Sequence, residues 1–190
     1  MRKLKTLFKR EFSGHKLVAT LPEVEEGCEW VLNGEGYATL KIDGTCCLIQ
    51  DGVLYKRFDF KEGRKLPEGA IPCQEAADPI TGHFPHWVKV DADNPADKWH
   101  VEAFKNTFEF DGDGTYELIG PHFQGNPYEL TCDILIKHGV HILRDVPRTY
   151  EGIKEYLRNH EIEGIVFYRG NGEMCKIKRR DFGFEWNKKV

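Results

Sequence analysis

The dipeptide Asp51-Gly52 constrains the fold of this chain most. It separates two β-rich runs, Cys46 to Gln50 and Val53 to Phe58, and a D-G pair in that place fits a two-residue hairpin turn with positive φ at both positions. Gly170-Asn171-Gly172 marks a second tight turn, between strands expected over 162–168 and 173–179. Further short strands are expected at 16–20, 28–33, 87–90, 115–119 and 131–136. Helical signals are few. Pro95 to Phe104 carries an early proline with Trp99, Ala103 and Phe104 on one side. Thr149 can cap a helix running to about Asn159, with Glu151 in the first turn and Ile153, Tyr156 and Leu157 as its apolar stripe. Hairpin-linked strands outnumber helices, which predicts an α+β fold with antiparallel sheets. The stretch Lys61 to Ala96 is irregular and long, the length at which a loop is functional or mobile.

Composition narrows the classes. The 190 residues suit one domain with a substantial core. No apolar run is long enough to span a bilayer, and Met1-Arg2-Lys3-Leu4-Lys5 leads into no apolar segment of the signal-peptide kind. Six cysteines without a C-x-x-C pair fit reduced thiols in a cytoplasmic setting. The net charge of −4 disfavours a protein that coats nucleic acid. Both ends are nevertheless basic: Arg2, Lys3, Lys5, Lys9, Arg10 and Lys16 at one, Lys176, Lys178, Arg179, Arg180, Lys188 and Lys189 at the other. Such ends suit local phosphate contact or simple solubility.

Thr39-Leu40-Lys41-Ile42-Asp43-Gly44-Thr45 reads as a strand that holds one lysine two residues from a carboxylate, at the mouth of a glycine turn. Near the end of the chain Lys176 and Lys178 project from one strand face while Cys175 and Ile177 project from the other. Two adjacent ammonium groups repel, and an anion between them relieves the repulsion. Glu163 and Glu117 each face away from apolar neighbours. Two other patterns read as structural. Asp111-Gly112-Asp113-Gly114 echoes a calcium loop but has Thr115 at the fifth position, so a turn is expected. His83 and His86, three apart in a proline-containing loop, fit polar packing or RNA contact better than a metal.

The order Lys41-x-Asp43-Gly44, Arg57, Tyr116-Glu117-Leu118-Ile119-Gly120, Glu163-Gly164-Ile165-Val166-Phe167, Lys176-Ile177-Lys178 resembles the motif series of covalent nucleotidyltransferases, which include ATP-dependent RNA and DNA ligases and mRNA capping enzymes. Four longer stretches resemble the compact 5′-to-3′ RNA ligases: K-I-D-G-T-C-C from Lys41, the loop Ile71-Pro72-Cys73-Gln74 with Asp78 to His83, E-L-I-G-P-H-F-Q-G-N-P-Y from Glu117, and K-I-K-R-R-D-F-G from Lys176.

The resemblance implies an ATP-grasp-like adenylyltransferase domain over 1–190 without a following oligonucleotide-binding barrel. It implies the cofactors ATP and Mg2+ or Mn2+, and as partner RNA with 5′-phosphate and 3′-hydroxyl ends. Lys41 is then the nucleophile that takes AMP, which passes to the 5′-phosphate before the 3′-hydroxyl displaces it. Glu163, with Asp43 or Glu117, is expected to bind the metal or its water, and Lys176 and Lys178 the α-phosphate. Glu117 would contact ribose or metal, and Arg57 ribose or the RNA-end phosphate, with Lys56 a less favoured substitute. The adenine-stacking aromatic is unassigned; Tyr128, His138 and His141 stand near in sequence. The alternatives are a GTP-using capping-type guanylyltransferase and a non-catalytic nucleotide- or RNA-binding module.

Overall fold

The computed structural model describes residues 3–60, 65–79, 82–107 and 111–186. Arg2, Ile80, Thr81, Lys188 and Lys189, cited above for charge or resemblance, and part of the irregular stretch lie outside the described residues. The strands are β1 (Lys5–Thr6), β2 (Phe8–Ser13), β3 (Lys16–Val24), β4 (Tyr37–Lys41), β5 (Thr45–Gln50), β6 (Val53–Phe60), β7 (Ile71–Pro72), β8 (Phe84–Lys89), β9 (Gly114–Ile119), β10 (Ile134–Lys137), β11 (Ile142–Leu143), β12 (Gly164–Tyr168) and β13 (Met174–Lys178). The α-helices are α1 (Glu29–Leu32), α2 (Lys98–Asn106) and α3 (Tyr150–Asn159). The chain divides into two compact units, one of Lys3–Ile42 with the chain from Gly139 onward, the other built on Asp43–His138.

In the first unit a five-stranded sheet runs β1-β13-β12-β4-β11. Its pairs are antiparallel except β1 with β13, which is parallel. Period-2 alternation sorts the two faces as expected: Ile165, Phe167, Cys175 and Ile177 are fully buried while Lys176 and Lys178 keep part of their surface. Thr149 caps α3 by accepting from the Gly152 amide at 3.2 Å, and Ile153 and Leu157 drop into the same core as Leu7, Phe8 and Trp30. Each such side chain contributes roughly 1.5–3 kcal/mol by leaving water. β2 and β3 form a separate hairpin.

In the second unit six strands run β10-β9-β5-β6-β8-β7, all antiparallel. Asp51 and Gly52 have φ of 50° and 73° and close the hairpin between the paired Gln50 and Val53, the all-positive turn that suits strand twist. Cys47, Ile49, Leu54, Ala103, Tyr116, Leu118 and Leu135 form its core.

Several expectations need correction. The run 28–33 is not a strand: Glu29–Leu32 is one helical turn, with Trp30 and Val31 buried. Local β propensity yields there to the burial of two large apolar residues in the core. Strand β3 runs on to Val24 and pairs with β2, which lacked a recognisable pattern because five of its six residues are exposed. β10 starts at Ile134, since Thr131 and Cys132 form a bend ahead of it, and β12 starts at Gly164, which leaves Glu163 just ahead of the strand.

Candidate active site

In the first unit, Lys41 ends β4 and its Nζ donates to Glu163 Oε2 at 2.6 Å. Glu163 is 1% exposed. Its other oxygen faces Lys178 Nζ at 3.2 Å and an Arg180 nitrogen at 3.8 Å, yet accepts no hydrogen bond of good geometry. The backbone explains the convergence. Gly164, the first residue of β12, stands opposite Lys178 on one side and Lys41 on the other, so both lysines flank the residue that follows Glu163. Gly164 must be glycine: a Cβ there would lie 2.3 Å from the Ile177 carbonyl oxygen.

Lys176 has its pKa pushed down to about 8, first by burial and then by Lys178 and Lys41. Burial also lowers that of Lys178, against the attraction of Glu163. Four cations, Lys41, Lys176, Lys178 and Arg180, thus act on one buried carboxylate, a local excess of positive charge suited to a polyanion. Asp181 serves the backbone: it accepts from the Lys178 amide at 2.8 Å and pairs with Arg10 at 3.4 Å, holding the turn Arg179–Phe182. Arg180 was not singled out from the sequence; its only signal was its place in the basic run after Lys178.

In the second unit Asp43 and Glu117 meet at the glycine turn. The Asp43 amide donates to the Tyr128 hydroxyl at 2.8 Å, and the Gly44 amide to Glu117 Oε1 at 3.0 Å. A Cβ on Gly44 would lie 2.2 Å from the Leu118 carbonyl oxygen, so the turn fits against β9 only without a side chain. Glu117 Oε2 accepts from His138 Nε2 at 2.7 Å. Two of the candidates for adenine stacking, Tyr128 and His138, are thereby engaged as hydrogen-bond partners. Arg57 lies on β6 and pairs with Asp59 at 3.1 Å. Lys56 is tied to the buried Asp97 and is a structural cation. Burial, with the Glu117 carboxylate next in effect, pushes the Cys46 thiol up to about 12. His86 lies buried within strand β8 rather than in a loop, its Nδ1 2.8 Å from the Phe84 carbonyl oxygen and its ring against Phe60 and Phe84.

Residues 108–190 match the family model of RNA ligase 1. The chain is 26% identical to RNA ligase 1 of Pongo abelii and 27% identical to RNA ligase 1 of Rattus norvegicus, in alignments that take in 94% of this chain and 76% of each relative. RNA ligase 1 of Danio rerio is 26% identical over 78% of this chain and 68% of that protein. These likenesses define an enzyme of the ligase class. Within that class, it is RNA ligase 1 that the chain resembles, over 94% of its own length.

Proposed function

We propose that the protein is an ATP-dependent RNA ligase that joins 5′-phosphate to 3′-hydroxyl RNA ends through AMP carried on Lys41. The Lys41–Glu163 pair inside a cluster of cations carries this reading. A half-buried lysine beside a buried acid and two further lysines is a costly arrangement for folding alone. It suits an amine that meets a phosphate. The neutral amine of Lys41 attacks the α-phosphorus of ATP and pyrophosphate leaves from the opposite side. Lys176 and Lys178 bear on the phosphoryl oxygens as negative charge builds there. AMP then passes to the RNA 5′-phosphate, and the 3′-hydroxyl oxygen displaces it to close the phosphodiester.

Glu163 fits a magnesium or manganese ion, since its Oε1 is buried without a hydrogen bond and such ions take one or two carboxylates plus substrate phosphate oxygens. When bound, such an ion would offset negative charge on the carboxylate and on the phosphate oxygens. Asp43, Arg57 and Glu117 are read, from the motif resemblance, as ribose, metal or RNA-end contacts within one ATP-grasp-like adenylyltransferase domain. Six free thiols fit a cytoplasmic setting, and among the described residues no helix is long and apolar enough to cross a membrane.

Incubation with magnesium and ATP labelled at the α-phosphate should leave base-stable label on the protein, and Lys41→Ala should abolish it. Absence of label on the folded wild-type chain, or its persistence in Lys41→Ala, would refute the mechanism. Label from GTP in preference to ATP would identify a capping-type guanylyltransferase instead. Nicked RNA and nicked DNA offered side by side identify the polymer.

A pH dependence follows from Lys176. Its ammonium is disfavoured in the fold, so the unfolded chain holds the extra proton between about pH 8 and the ordinary lysine value, and stability rises with pH across that window. Anion binding runs the other way. Affinity for AMP, measured by calorimetry, should fall as pH rises through about 8, by about tenfold for one charged hydrogen bond lost. In Lys176→Arg that fall should disappear; an unchanged profile would remove Lys176 from the phosphate site.

A further inference from the structure

We infer that Cys46, Glu117 and His138 together bind one divalent cation of the zinc class. The Cys46 sulfur, a Glu117 carboxylate oxygen and a His138 ring nitrogen all lie within 4.8 Å of one another. Sheet register brings them together. Cys46 of β5 stands directly opposite Glu117 of β9. His138 extends β10 by one residue, its amide donating to the Thr115 carbonyl oxygen at 3.0 Å, so its side chain neighbours Glu117 diagonally. The alternate residues Cys47, Tyr116 and Leu118 point into the core, which leaves the three donors on the opposite face of a rigid antiparallel sheet.

Neighbouring groups hold two of the three donors in place. Glu117 Oε1 is held by the Gly44 amide at 3.0 Å, which leaves Oε2 on the side of His138. His138 Nδ1 lies 3.0 Å from the Thr115 hydroxyl, the outer hydrogen bond that metal-bound imidazoles usually make. Without a cation, Nε2–H donates to Glu117 Oε2 at 2.7 Å and the Thr115 hydroxyl donates to Nδ1. Among the described residues the Cys46 sulfur has one hydrogen-bond contact, to the Cys47 carbonyl oxygen at 4.0 Å.

On binding, the His138 proton moves to Nδ1, which then donates to the Thr115 oxygen, and the Cys46 thiol proton passes to water. The thiolate and carboxylate together balance a 2+ charge. Tetrahedral Zn2+ distances place ligand atoms roughly 3.3–3.8 Å apart, with oxygen and nitrogen at the short end, so the Glu117–His138 pair spreads from 2.7 Å by about 0.7 Å. A fourth position stays open to water. Magnesium prefers an all-oxygen shell and does not take a thiolate.

Co2+ serves as the probe, read by absorption with the full chain and no nucleotide present. One equivalent per chain should give a sulfur-to-cobalt charge-transfer band that Zn2+ displaces. Cys46→Ser should remove the band, and His138→Gln and Glu117→Gln should each weaken binding about tenfold or more. Cys132→Ser, at an exposed cysteine, should leave it unchanged. Circular dichroism checks each fold; if Cys46→Ser does not fold, the His138 and Glu117 variants decide. No band from the folded wild-type chain, a band that survives Cys46→Ser, or unaltered affinity in His138→Gln and Glu117→Gln would overturn the assignment. Because nothing is adenylylated in this measurement, its result stands apart from the ligase test.

Discussion

Glu163→Gln is expected to reduce the yield of protein-bound AMP at least 100-fold, the scale on which a preorganised charged group in an active site acts, and to destabilise the fold by about 3 kcal/mol, the lower end for a broken buried pair. Lys41 and Lys178 keep 18% and 21% of their side-chain surface, so water already relieves part of their charge, which is why the lower end applies. The glutamine preserves shape and removes charge, leaving Lys41, Lys176, Lys178 and Arg180 to repel one another. Added inorganic pyrophosphate should then raise the urea midpoint of the variant more than that of the wild type, because an anion supplies the missing counter-charge. Wild-type stability together with wild-type adduct yield would show that the carboxylate matters to neither.

Gly164→Ala should be nearly as damaging by a different route. The added methyl would meet the Ile177 carbonyl oxygen at 2.3 Å and Lys178 Cα at 2.9 Å, both backbone atoms that no rotamer change can move. Overpacking of this kind costs about 1–3 kcal/mol, and the upper figure applies here. Moving β13 away from β12 also moves Lys178, so adenylylation should fall with stability. Gly170→Ala is the matched control: nothing lies within 4 Å of its Cβ position, and its unfolding free energy from urea titration should stay within about 0.5 kcal/mol of wild type. Equal midpoints for the two variants would refute the packing argument.

Local signals made some elements legible. Asp51-Gly52 gave the β5–β6 hairpin because both residues tolerate positive φ, and Thr149 gave the start of α3 because its hydroxyl satisfies a helix-end amide. Alternation placed Lys176 and Lys178 on the face away from the core. What depends on partners distant in sequence was hidden. β1 pairs in parallel with β13 across almost the whole chain, and a two-residue strand has no periodicity to read. Glu29–Leu32 is short and has no side-chain cap, so tertiary burial alone decides it. The Lys41–Glu163 pair came within reach only through motif order. Cys46, Glu117 and His138 share no motif at all, and only the register of three strands reveals their proximity.

Strand β12 has hydrogen-bonded neighbours along both edges, β4 on one side and β13 on the other. An interior strand of this kind opens only when most of its unit opens, so amide protons from Gly164 to Tyr168 belong among the slowest to exchange with solvent. Lys41 and Lys178 are anchored to its two flanks, and their backbone positions are therefore fixed by the time the sheet has folded. On the proposed function, an arriving nucleotide would meet charges already set in place and would not spend its binding energy on assembling them.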